Sequence, residues 1–144
     1  PQLMRDIMLG LEALHAADMV FRELAPSRVL LAESDGRAVL TDFELAKLLD
    51  NSPTVSTDWP DDAYRAPEVE SGNFDRRADL FSWAQILVHA ATGEMPHGGH
   101  VAVSLTEVDL PPGVRDVVAD CLSPVARDRP RDCKKVLKAI KRWN

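Results

Sequence analysis

Little in this 144-residue chain points to membranes, disulfides or metals. Its most apolar stretch, Leu80 to Ala91, falls short of the roughly 20 residues that cross a bilayer and contains Gln85 and His89. With only two cysteines, Cys121 and Cys133, and no C-x-x-C spacing, the chain reads as a cytoplasmic protein with reduced thiols, a disulfide between them being the alternative. His97 and His100 flank Gly98-Gly99 without a third ligand nearby, so they read as a solvated loop rather than a metal clip. Repeats and low-complexity runs are also missing. A net charge of −6 leaves nucleic acid without an obvious footprint.

What is present is an ordinary globular composition, 45% apolar and 28% charged, long enough for one domain over residues 1–144. Leu3, Met4, Ile7, Met8, Leu11 and Leu14 recur at three- and four-residue intervals, which predicts an amphipathic helix to about His15. Met19-Val20, Val29-Leu30-Leu31 and Ala38-Val39-Leu40 are short strand candidates, the last two joined by the turn Glu33-Ser34-Asp35-Gly36, and together they predict one small sheet. Residues 51–62 are polar and contain Pro53 and Pro60, a loop pattern. Asp79 to Ala91 is apolar nearly all round, as a buried helix is. A further helix follows Pro111-Pro112-Gly113, and a last one runs from about Asp132 to Trp143. Arg131, Lys134, Lys135, Lys138, Lys141 and Arg142 make that last helix basic. It reads as a solvated face that complements the helix's negative end, with an anionic docking site as the alternative.

The motifs narrow the field. Phe21-Arg22-Glu23-Leu24-Ala25-Pro26-Ser27-Arg28 is followed by Asp42-Phe43-Glu44, with Arg28 five positions and Asp42 nineteen positions after Glu23. Downstream come Ala66-Pro67-Glu68, then Asp79-Leu80-Phe81-Ser82-Trp83-Ala84, then Arg127-Asp128-Arg129-Pro130. In order and spacing these resemble the eukaryotic-type serine/threonine protein kinases, whose catalytic loop reads H-R-D-L-x-x-x-N, whose metal turn reads D-F-G and whose activation segment closes with A-P-E. The resemblance covers nearly the whole chain. It implies a mainly α fold with a small β sheet, the kinase C-terminal large lobe, with the small lobe and its Gly-rich loop and lysine absent from the chain.

The resemblance also implies roles, and several are overwritten. Glu23 stands at the catalytic base position with one methylene too many, next to Arg22. Ala25 replaces the lysine that neutralises the transferred phosphoryl group. Arg28 replaces the asparagine that ligates a metal, and a guanidinium has donors but no acceptor. Asp42 keeps the other metal position. Leu30 would lie on the floor of the nucleotide cleft. Glu44 replaces a glycine, and Phe21 replaces a histidine that packs on Phe43. Asp79 matches the buried aspartate that anchors the catalytic loop, and Glu68 with Arg129 matches a buried ion pair.

Two contacts are expected at these positions: Arg28 with Asp42, unless Arg28 points to solvent, and Arg22 with the acids Asp58, Asp61 and Asp62. Together the changes imply a catalytically inactive, pseudokinase-like interaction or regulatory module. Its partner would be another protein, an active kinase or a separate small lobe, with no nucleic acid, no membrane and no cofactor. The alternative is a divergent kinase that uses ATP and Mg²⁺ and whose small lobe lies elsewhere.

Overall fold

Helix α1 (Gln2–Ala16) forms because Met4, Ile7, Met8, Leu11 and His15 fall on one face at helical spacing, and all five are buried. The computed structural model describes residues 1–42, 47–48, 62–96, 105–141 and 143, with backbone alone at 47, 48 and 62. After α1 the chain turns through Asp18 in the left-handed region (φ 55°) and enters β1 (Met19–Val20). A 3-10 turn (Pro26–Arg28) leads into β2 (Val29–Leu31), which pairs antiparallel with β3 (Ala38–Leu40) in the register Val29 to Leu40. The hairpin closes at Gly36, whose φ of 68° suits a residue without Cβ.

The short strand β4 (Lys47–Leu48) pairs antiparallel with β1, Met19 opposite Leu48. The strands therefore make two separate two-stranded sheets rather than the single one expected. The reason is that β1 finds its partner beyond Asp42, which leaves residues 21–25 bridging from one sheet to the other.

Helix α2 (Arg77–Thr92) is buried without a break from Ala78 to Val88 and runs through the middle of the lobe. It stops at Gly93 in the left-handed conformation (φ 76°), whose amide bonds the His89 carbonyl at 2.7 Å. Helix α3 (Pro112–Cys121) starts on a proline, whose missing N–H is of no consequence in a first turn. Helix α4 (Cys133–Ile140) is capped by the Asp132 side chain, which accepts from the Lys134 amide at 3.0 Å.

Helix α4 ends earlier than the expected limit near Trp143. Its end is fixed by the Arg5 guanidinium of α1, which donates to the carbonyls of Ile140 (3.2 Å), Lys141 (3.5 Å) and Trp143 (3.0 Å). The core is mainly α, with α1, α2, α3 and α4 contributing Leu11, Trp83, Val118 and Val136 to one cluster. No described helix is long and apolar enough to cross a membrane.

Trp83 lies at the centre of this core and donates its indole N–H to the Met4 carbonyl at 2.8 Å, tying α2 to α1. Replacing Trp83 by Phe removes that bond and leaves a void. Urea unfolding should show a loss of about 1–3 kcal/mol, and an unchanged midpoint would mean the bond contributes nothing.

Candidate functional site

The segment 21–25 hangs from one carboxylate. Asp79, in the first turn of α2 and fully buried, accepts from the Phe21 amide (2.8 Å) on Oδ2 and the Arg22 amide (2.7 Å) on Oδ1. Aiming two consecutive amides at one group puts Arg22 in the left-handed region (φ 72°), which costs about 1–2 kcal/mol for a residue with Cβ. Charge-assisted bonds to a buried carboxylate offset that strain.

His15 of α1 completes the anchor. Its Nε2 lies 2.8 Å from Asp79 Oδ2, and its Nδ1 lies 3.3 Å from the Cys133 thiol at the start of α4. An ionised carboxylate only accepts, so Nε2 donates, and on a neutral ring Nδ1 is left to accept a hydrogen bond from the thiol S–H. His15 is legible beforehand in one respect only: it occupies a core position of α1, where a polar ring needs a partner.

Glu23 projects into a basic enclosure. Its carboxylate is 3.3 Å from Arg65 Nη2 and 3.6 Å from Arg22 Nε, and the residue is only 7% exposed. Arg65 arrives from the stretch just before Pro67, so that stretch is tied to the segment 21–25. No spacing rule points from Arg65 to Glu23, 42 residues away in sequence, so the contact has no signal in the sequence.

Ala25 is buried and supplies no charge. Arg28 is half-buried at the end of the 3-10 turn, and Asp42 is exposed with φ 61°. The expected pair between them is not formed: no ion pair among the described residues joins Arg28 to Asp42. Leu30 on β2 is 56% exposed, beside Leu31 at 63%. Phe43, Glu44, Asp58 and Asp61 lie outside the described residues, as do His97 and His100, and of Asp62 only the backbone is described. Among the described residues no group of three His, Cys, Asp or Glu side chains could hold a metal ion.

A second buried charge braces the same lobe. Arg129 grips Glu68 with two bonds, of 2.6 and 2.9 Å, donates to the carbonyls of Ser123 (2.8 Å) and Arg77 (3.2 Å), and stacks 4.7 Å from the Phe81 ring centre. The guanidinium has no exposed side-chain surface, so its charge is balanced entirely within the protein.

Residues 1–144 match the protein kinase domain family. The chain is 30% identical to the serine/threonine-protein kinase ATG1c of Arabidopsis thaliana over 129 residues, 83% of this chain and 18% of that protein. It is 32% identical to PknL of Mycobacterium tuberculosis over 116 residues, 76% of this chain and 29% of that protein. It is 34% identical to PknJ of Mycobacterium bovis over 117 residues, 74% of this chain and 20% of that protein. The chain thus spans less than a third of the length of these curated relatives.

Burial pushes both thiols up to about 12, with Asp120 adding to the effect at Cys121 and Asp79 at Cys133. An unfolded thiol releases its proton near the ordinary value of 9.0, so above that pH the unfolded state binds fewer protons and stability falls as pH rises. Each thiol steepens that fall by at most about 1.4 kcal/mol per pH unit between the two values. Urea titrations from neutral to alkaline pH should therefore give a shallower decline for Cys133→Ala than for the parent. Parallel declines would show that the thiol ionises as readily in the folded chain as in the unfolded one.

Proposed function

Because this chain belongs to the protein kinase domain family, we propose that it is a catalytically inactive member, a pseudokinase-like domain that regulates or scaffolds another protein. The observation that carries this reading is the state of Glu23. A general base must offer a lone pair to the substrate hydroxyl, and the Glu23 carboxylate instead faces two guanidinium groups inside the fold. The extra methylene displaces it further, and about 1 Å of misplacement reduces rate roughly a hundredfold.

The neighbouring positions support the same reading. Ala25 brings no cation to a transferring phosphoryl group, and Arg28 cannot ligate a metal. Asp42 alone retains metal-binding chemistry, so no cofactor is needed for the proposed role. The partner is another protein, an active kinase or a separate small lobe. The exposed side chains of Leu30, Leu31 and Val39 on the β2–β3 hairpin support a partner that covers apolar surface.

A second reading, a divergent serine/threonine kinase, draws on the exposed Asp42 and on the relatives, which are serine/threonine-protein kinases. Under it, Asp42 holds Mg²⁺ and the chain uses ATP.

Thermal unfolding with ATP, alone and with Mg²⁺ or Mn²⁺, separates the two. A ligand that binds only the folded state at 100 times its dissociation constant stabilises by about 2.7 kcal/mol, a shift of several degrees for a chain of this size. The expected result is no shift under any condition and no phosphoryl transfer to a generic protein substrate. A metal-dependent shift that Asp42→Asn abolishes overturns the inactive reading.

A further inference from the structure

Three of the chain's five lysines fall on α4 and a fourth, Lys141, follows its last residue, although the chain as a whole is acidic. Helix α4 buries Cys133, Val136 and Ile140 against the core, which turns Lys134, Lys135, Lys138 and Lys141 outward, all of them exposed. Lys135 is engaged by Asp120 at 2.7 Å, which raises its proton affinity. No ion pair among the described residues reaches Lys134, Lys138 or Lys141. These three are spaced by four and three residues and form a single stripe about 10 Å long.

The stripe is not accounted for by the helix itself. Like charges at these spacings oppose helix formation, and Lys134 sits in the first turn, where the helix's own field disfavours a cation. The negative C-terminal end, which lysines could otherwise serve, is already met by the Arg5 guanidinium on three carbonyls. At its N-terminal end the stripe opens on a cavity of about 500 Å³ whose lining combines Leu9, Ala13 and Ala16 of α1 with His15 and Cys133 and with four charged residues, Glu12, Arg76, Asp132 and Lys134.

We propose that this face binds a short acidic segment of a partner protein, its carboxylates lying along Lys134, Lys138 and Lys141 and an apolar side chain seated in the cavity. The match is one of charge and of length. An acidic peptide needs only a few carboxylates over about 10 Å, whereas a nucleic acid or an anionic membrane extends far past the stripe and meets a surface more acidic than the net −6. In the cavity lining Glu12 and Asp132 disfavour a carboxylate while Arg76 and Lys134 disfavour a cation, which leaves an uncharged group as the better occupant. The buried apolar side of α4 leaves nothing to insert into lipid. The surface is separate from the Glu23 site and is argued independently of whether the domain is active.

The test is fluorescence anisotropy of the full chain with a labelled glutamate-rich peptide carrying one leucine, at low and at near-physiological salt. Binding should weaken with salt, and K134E/K138E/K141E should weaken it by about tenfold or more. Arg37→Glu, on the β2–β3 turn, should leave it unchanged, and exchanging the peptide's leucine for glycine should weaken it severalfold. Circular dichroism of the triple variant checks that α4 persists, and Lys138→Glu alone repeats the measurement with one change. The proposal is overturned if the peptide does not bind, if the lysine variants bind as the parent does, or if the leucine makes no difference. It is equally overturned if single-stranded DNA or phosphatidylserine vesicles bind more tightly than the peptide.

Discussion

Placing a carboxylate inside an apolar helix is unfavourable unless its oxygens are occupied by donors, and Asp79 occupies both. Two backbone amides and one imidazole converge on it, from α1 and from the loop after β1. The loop's shape follows from that convergence, including the left-handed Arg22 and the inward direction of Glu23. Because His15 also meets Cys133, the same centre links α1, α2, α4 and the loop. An apolar residue at position 79 would remove the acceptor shared by His15 and by the Phe21 and Arg22 amides at once, leaving buried donors unsatisfied.

The elements were legible where a periodic pattern was strong. The stripe of α1 and the all-round apolar character of α2 identify both helices, since each buries the surface its pattern implies. The anchor Asp79 and the Glu68–Arg129 pair were readable through the family motifs. Long-range pairings were not. β1 spans two residues and pairs with two residues that no pattern distinguishes, so the division into two sheets had no local signal. The end of α4 is set by Arg5, which belongs to the opposite end of the chain. The Arg65–Glu23 contact is likewise a product of tertiary folding, and the anticipated Arg28–Asp42 pair gave way to an exposed Asp42.

Charge is used in two ways in this lobe. Arg129, Glu68, Asp79 and Glu23 are buried or nearly so and meet opposite charge or hydrogen-bond donors inside the protein. Lys134, Lys138 and Lys141 instead stand exposed to water, where a charge costs little and stays available to whatever approaches. The first set shapes the fold and the second set faces outward.

Arg129 also has a dynamic consequence. Its guanidinium joins the Ala66–Glu68 stretch, the start of α2 and the turn after α3, segments up to 61 residues apart in sequence. Opening any one of them strands a buried cation, so the three cannot fray singly and form one cooperative unit, a foldon, in native-state hydrogen exchange. The 3-10 turn Pro67–Ser71, which carries Glu68, is a short surface element, yet it is held to the opening free energy of the core helix it is pinned to.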